Sequence, residues 1–131
     1  MSDAAGAEQP AEDSTHFSVG TAAGGVGTVL AAGDVDLLTA PRLSAALQQA
    51  QESTQAVLLD LSGVEFLGSA GLSVLVEAAR RADDSRGRLA VLVTRHAVRR
   101  AIEVTGLDDL LHVFETAADA EDFLKAAHAG D

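Results

Sequence analysis

The residues best placed to do chemistry lie in Asp60-Leu61-Ser62-Gly63-Val64-Glu65-Phe66-Leu67-Gly68-Ser69-Ala70-Gly71-Leu72. Gly68, Ser69, Ala70 and Gly71 form an elbow of small residues between an extended segment and a helix, which puts Ser69 near an exposed helix N-terminus. Two readings of that hydroxyl stand side by side. It is an N-cap satisfying a backbone amide, or it is an acceptor that a kinase can reach. A phosphate there adds about 1.5 to 2 negative charges, which orphan amides and the helix dipole tolerate. Other constellations fail on missing parts. Asp60 and Thr94, each ending an apolar strand, suggest an aspartate phosphorylated beside a metal. That chemistry needs an acidic pair where Thr21-Ala22-Ala23 stands and a Lys where Glu115-Thr116 stands, so Asp60 is read as a turn or cap residue before Ser62-Gly63. Gly24-Gly25-Val26-Gly27-Thr28 lacks the Lys of a phosphate loop and reads as a turn between strands. His16, His96, His112 and His128 show no ligand spacing, so no metal or cofactor is expected.

The elements that must position Ser69 follow from periodicity. His16 to Gly20 alternates, Thr21 to Gly25 breaks, and Val26 to Ala31 resumes, as a hairpin does. Thr39-Ala40-Pro41-Arg42 starts a helix with Leu43, Ala46, Leu47 and Ala50 on its inner face, running to about Glu52. Ala56 to Leu61 is a strand buried on both faces. A second helix runs from Ala70 to about Asp84, with Leu72, Leu75, Val76 and Ala79 inward. Leu89 to Val93 is a strand, Ala97 to Thr105 a helix stopped by Gly106, Leu110 to Phe114 a strand and Ala117 to Ala127 the last helix. The order β-β-α-β-α-β-α-β-α predicts an α/β fold, a mixed sheet with helices packed on it.

Composition narrows the function classes. The 131 residues suit one domain, and with 47% hydrophobic but only 3% aromatic residues the core must be aliphatic. Twenty acidic against nine basic residues give a net charge of −11, which repels phosphate backbones and anionic lipid, so neither nucleic acid nor a membrane surface is an expected partner. With no Cys there is neither a disulfide nor a thiolate nucleophile. The start, Met1 to Gly6, has neither a basic region nor an apolar run, and no stretch approaches the roughly 18 apolar residues of a membrane span. A cytoplasmic location is expected. Residues 1–15 are small, polar and acidic, a disordered tail before a domain over 16–128. Seven of the nine basic residues fall between Arg80 and Arg100, read as solvated helix faces with an acidic-partner patch as the rival.

From residue 16 onward the sequence resembles the STAS domain of bacterial anti-sigma factor antagonists. The matching segments are Asp60-Leu61-Ser62, Phe66-Leu67, Ser69-Ala70-Gly71-Leu72, the Gly33-Asp34-Val35-Asp36 turn and Thr105-Gly106-Leu107. The resemblance implies a STAS-like fold and a binding protein, not an enzyme. It would sequester an anti-sigma factor that is also its serine kinase, free the sigma factor, and be switched off by phosphorylation at Ser69. The implied docking surface comprises the Asp34 to Thr39 loop with Asp34, Asp36 and Thr39, the elbow Gly68, Ser69, Ala70 and Gly71, and the exposed side of helix two with Ser73 and Glu77 if they face outward, with a monomer favoured. Asp34 and Asp36 are equally readable as turn formers. At Gly68 the family pattern has Asp. Some lone STAS domains instead brace the ATPase of a lipid ABC transporter, which is the alternative reading.

Overall fold

The computed structural model describes residues 15–129; residues 1–14, where the acidic tail is expected, and the side chain of His128 lie outside the described residues. Five strands form one sheet in chain order: β1 (His16–Thr21), β2 (Gly27–Val35), β3 (Ala56–Leu67), β4 (Arg88–Leu92) and β5 (His112–Phe114). β1 pairs antiparallel with β2, and every other pair is parallel. Four helices connect or follow them: α1 (Ala40–Ser53), α2 (Ser69–Asp84), α3 (His96–Val104) and α4 (Ala117–Ala129). The mixed α/β architecture and the element order agree with the sequence reading.

Alternation along β3 divides the core in two. Val57, Leu59 and Leu61 face α1, α2 and α3 together with Leu43, Leu47, Leu75 and Ile102, all essentially inaccessible. Ala56 and Leu58 face the other way, against Ala120 and Leu124 of α4. Burying each such Leu or Ile is worth about 1.5–3 kcal/mol, enough to fix strand register, since a one-residue slip would exchange the two faces. α1 buries the four residues its spacing predicts, plus Ala40.

Several boundaries differ from the sequence reading, each for a physical reason. β3 does not stop at Leu61 but continues through the polar Ser62-Gly63 break to Leu67. Asp60 Oδ1 accepts from the Ser62 amide at 2.9 Å and from Ser62 Oγ at 2.6 Å, stabilising a bulge in place of a turn. β3 gains one residue on β2 there and a second between Gly33 and Asp34. β2 accordingly runs past Ala31, so Gly33, Asp34 and Val35 belong to the strand and not to the turn before α1. Gly33 adopts φ 94°, a left-handed conformation available to glycine. β5 begins at His112, not Leu110, because Leu107–Asp109 forms a short 3-10 turn. In α2 the buried face is Gly71, Leu72, Val74, Leu75, Ala78 and Ala82, rotated from the predicted one and leaving Val76 and Ala79 half-buried. Thr15, expected in the tail, is buried: its Oγ1 accepts from the Asp34 amide at 3.1 Å.

The remaining turns follow prediction. Gly24 and Gly25 take φ of 82° and 81° between the antiparallel β1 and β2, so the segment is a hairpin turn and not a phosphate loop, which a helix would follow. Gly106, φ 77°, terminates α3. Three of the clustered arginines have partners: Arg81 Nε donates to Gln51 Oε1 at 2.9 Å, Arg88 lies 4.6 Å from the Phe123 ring centroid, and Arg99 pairs with Glu103 and Glu115, while Arg80, Arg86, Arg95 and Arg100 are exposed. Among the described residues no group of three or more His, Asp or Glu is placed to hold a metal ion, and no helix is long and apolar enough to cross a membrane.

Candidate functional site

Two adjacent parallel strands, β2 and β3, end side by side and deliver the candidate residues to one end of the sheet. Val35, fully buried, is the pivot. Its carbonyl accepts from the Gly68 amide at 2.9 Å. A Cβ built on Gly71 would lie 2.7 Å from Val35 Cγ1 and 2.6 Å from Leu67 Cδ1, so only glycine lets α2 approach β2 this closely. Gly68 has an extended backbone (φ −87°, ψ −179°), and its carbonyl accepts the first intrahelical bond, from the Leu72 amide at 3.0 Å.

Gly68 is therefore the N-cap, and Ser69 is the first helical residue, with no side-chain capping bond. This overturns the reading of Ser69 as a capping serine: one position inside the cap, its hydroxyl has no part in closing the helix. Ser69 is exposed, and the amides of Ser69, Ala70 and Gly71 precede the first intrahelical bond at the positive end of the helix dipole. Ala70 is half-buried and Gly71 buried, so both act through backbone position. Ser73 and Glu77 are exposed on the same side of α2 as Ser69. A shallow groove of about 420 Å³ runs along that side from Ser69 towards Arg80, with Thr105 and Leu107 on its far wall.

The second half of the site is the turn from β2 into α1. Asp36 Oδ1 accepts from the amides of Leu38 and Thr39, each at 3.0 Å, while Thr39 Oγ1 accepts from the Asp36 amide at 2.9 Å. This reciprocal pair resembles a capping box set one turn earlier. Thr39 Oγ1 also lies 2.9 Å from the Asp34 carbonyl, which accepts from it. The bond from the Thr39 amide holds the Asp36 carboxyl below its ordinary 3.8, partial desolvation opposes this, and the Thr39 hydroxyl and Leu38 amide reinforce it. Asp36 and Thr39 thus serve as turn formers, whereas the Asp34 side chain is exposed at the rim. Arg42 in the first turn of α1 donates to the Thr15 carbonyl at 3.1 Å and stacks 5.3 Å from the Phe17 centroid, closing the far side.

All nine predicted site residues therefore come to the β2 and β3 ends or to the adjoining face of α2. The loop from Asp34 to Thr39 was expected in the docking surface without its two leucines being singled out, and Phe66 was not expected there. Leu37 and Leu38 project from the turn at 79% and 85% exposure, and Phe66, 54% exposed, pairs across from Asp34 in the β2–β3 ladder. The signal was present: a Leu-Leu pair ahead of Pro41, outside the helical spacing of α1.

The family model of the STAS domain matches residues 21–120, which span the sheet from the end of β1 to the first turn of α4. The chain belongs to the STAS domain family. It is 35% identical over 97 residues to the anti-sigma-F factor antagonist RsfB of Mycobacterium tuberculosis, covering 73% of this chain and 79% of that protein. The crystal structure of an anti-sigma factor antagonist from Mycobacterium paratuberculosis superposes with a TM-score of 0.77 at 35% identity, over 86% of this chain and 96% of that one. The Bacillus cell fate determinant SpoIIAA in its phosphorylated form shares the fold, with a TM-score of 0.62 at 17% identity over 82% and 97% of the two chains.

Proposed function

We propose that this protein is an anti-sigma factor antagonist: unphosphorylated, it binds an anti-sigma factor, the bound sigma factor is released, and phosphorylation of Ser69 by that same partner ends the interaction. The observation that carries the reading is Ser69 itself, an exposed hydroxyl one position inside the helix cap, at an elbow hydrogen-bonded to Val35 just before the Asp36–Thr39 turn. The relatives named above, antagonists of anti-sigma factors, support it. In this reading the docking surface comprises Asp34, Asp36, Thr39, Gly68, Ser69, Ala70, Gly71, Ser73 and Glu77. The chain is a cytoplasmic monomer with no catalysis of its own and no contact with nucleic acid or membrane.

The mechanism is a change of surface chemistry. The kinase supplies ATP; Ser69 Oγ forms a bond to the γ-phosphorus, the bond to the β-phosphate oxygen breaks, ADP leaves, and the hydroxyl proton passes to a base of the kinase. The phosphoserine gains about 1.5–2 negative charges. Free amides at the start of α2 accept that charge without unfolding the helix, while a partner that had covered the neutral serine must now desolvate a dianion.

The test uses the purified anti-sigma factors of the source cell. Wild type and Ser69→Ala should bind one of them, Ser69→Glu should bind at least tenfold more weakly, and ATP should phosphorylate wild type alone, with the phosphate located at Ser69 by mass spectrometry. Equal binding of all three forms sinks the switch. Recovery of the chain with a membrane-bound ABC ATPase in place of an anti-sigma factor would establish the transporter-brace alternative.

A further inference from the structure

Leu37 and Leu38 are the most exposed large hydrophobic side chains among the described residues. Single exposed hydrophobics are ordinary on protein surfaces. A consecutive pair on a turn fastened at Asp36 and Thr39 is different, because turn geometry there asks for small or polar residues and nothing in the packing requires leucine. Phe66 stands nearby, opposite Asp34 in the ladder, and its ring edge lies 3.1 Å from the position of a Cβ on Gly68. Glycine at 68 thus leaves room for the Phe66 ring beside Ser69. The phenyl ring thus stands at the elbow next to Ser69, and the leucine pair follows Val35, whose carbonyl holds the Gly68 amide.

We propose that Leu37, Leu38 and Phe66 are the apolar anchors that hold the anti-sigma partner around Ser69, and that the matching surface of that partner is an apolar cleft with a basic rim. This rests on the function proposed above. Charge selects the occupant. Asp34 and Glu65, both exposed, neighbour the anchors, and the chain carries −11 overall. Seven of its nine basic residues lie between Arg80 and Arg100, and Arg42 is committed to Thr15 and Phe17. Two copies meeting through this same face would set acid against acid, and an anionic lipid surface would be repelled. A protein with cations around an apolar cleft meets the rim acids while they stay partly wet, and closes over the anchors in the dry centre. Ser69 then lies in that centre, where a phosphate has to be stripped of water. The turn is already fixed by hydrogen bonds, so little ordering is needed on docking.

The experiment titrates wild type, the double variant Leu37→Ser/Leu38→Ser, and Phe66→Ser against each purified anti-sigma factor of the source cell by calorimetry. Melting temperatures are recorded in parallel. All three side chains are exposed, so melting should be unchanged, while the affinity of each variant for the bound anti-sigma factor should fall roughly tenfold or more. Asp34→Asn/Glu65→Gln should slow association and flatten its salt dependence. Folded variants binding within threefold of wild type would overturn the anchors and leave the proposed function intact. Wild type binding none of the anti-sigma factors would overturn both. Concentration-dependent self-association of wild type, abolished in the leucine variant, would assign the patch to a second copy and overturn the proposal.

Discussion

Replacing Ser69 by Ala separates a structural serine from a functional one by stability alone. If the hydroxyl capped α2, its loss would cost about 1 kcal/mol, within a range of roughly 0.5–2. The structure assigns the cap to Gly68 and gives Ser69 an exposed first-turn position with no side-chain capping bond. Two small effects remain. Alanine has the better helix propensity, and an exposed substitution away from caps and core changes stability by no more than about 0.5 kcal/mol in either direction. The expected result is a shift within that band, with a slight gain as readily as a slight loss. For a domain of this size 1 kcal/mol corresponds to a change of about 4 °C in Tm, so the two cases differ measurably. Urea titration followed by circular dichroism should show coincident midpoints for wild type and Ser69→Ala. A reproducible loss of about 1 kcal/mol at constant slope would mean that the hydroxyl does cap the helix, and the assignment of the cap to Gly68 would be wrong.

The same geometry fixes other outcomes. Gly68→Asp should fold with a Tm equal to or slightly above wild type, since φ is −87° and an N-cap carboxylate suits the helix end; only the exposed Phe66 ring has to shift, and phosphorylation of Ser69 should be faster, as followed by phosphate incorporation. Gly71→Ala should lose roughly 1–3 kcal/mol in denaturant titration, because its methyl would press on the buried Val35 and Leu67 side chains. For Asp36, a folded-state pKa held below the ordinary 3.8 means that its contribution is complete above 3.8 and is lost as pH falls through the lower folded value. Protection of the Leu38 and Thr39 amides, relative to their intrinsic exchange rates, should fall in that acidic window, and Asp36→Asn should remove that pH dependence; protection unchanged down to pH 2 would refute it.

Most of the fold was legible because the strongest signals are periodic. The helical spacing of Leu43, Ala46, Leu47 and Ala50, the apolar run Ala56 to Leu59 and the glycines at 24, 25 and 106 each imply one local structure. The ends of β2 and β3 were not legible. Ser62-Gly63 has the composition of a turn, and only pairing with β2 on one side makes a bulged continuation better satisfied than a chain reversal. The phase of α2 was misread because Ala78 and Val76 are both plausible inner residues from spacing alone; the close approach at Gly71 selects Ala78. The position of Ser69 was recognised while its role at the helix end was not, since an N-cap and a first helical residue differ by one position, within the usual uncertainty of helix boundaries.

Those bulges bear directly on how a phosphate at Ser69 could act. By lengthening β3 against β2 they bring Gly68 under the Val35 carbonyl, and Gly71 against the Val35 side chain, so the serine elbow and the Asp36–Thr39 turn are joined through one fully buried residue. Moving either half relative to the other would break the Gly68 to Val35 hydrogen bond and open a void against the core, costs of about 1 kcal/mol or more each. The dianion, meanwhile, finds free amides where it forms and has no need for such a movement. A rearranged elbow is therefore the less favourable route to release, and a direct loss of complementarity at an otherwise unchanged surface is the more favourable one. Amide chemical shifts of the phosphorylated protein should then change within the first turn of α2 and the adjoining Asp36–Thr39 turn while those of β4 and α4 stay in place; shifts propagating across the sheet would show that the phosphate works by moving the fold.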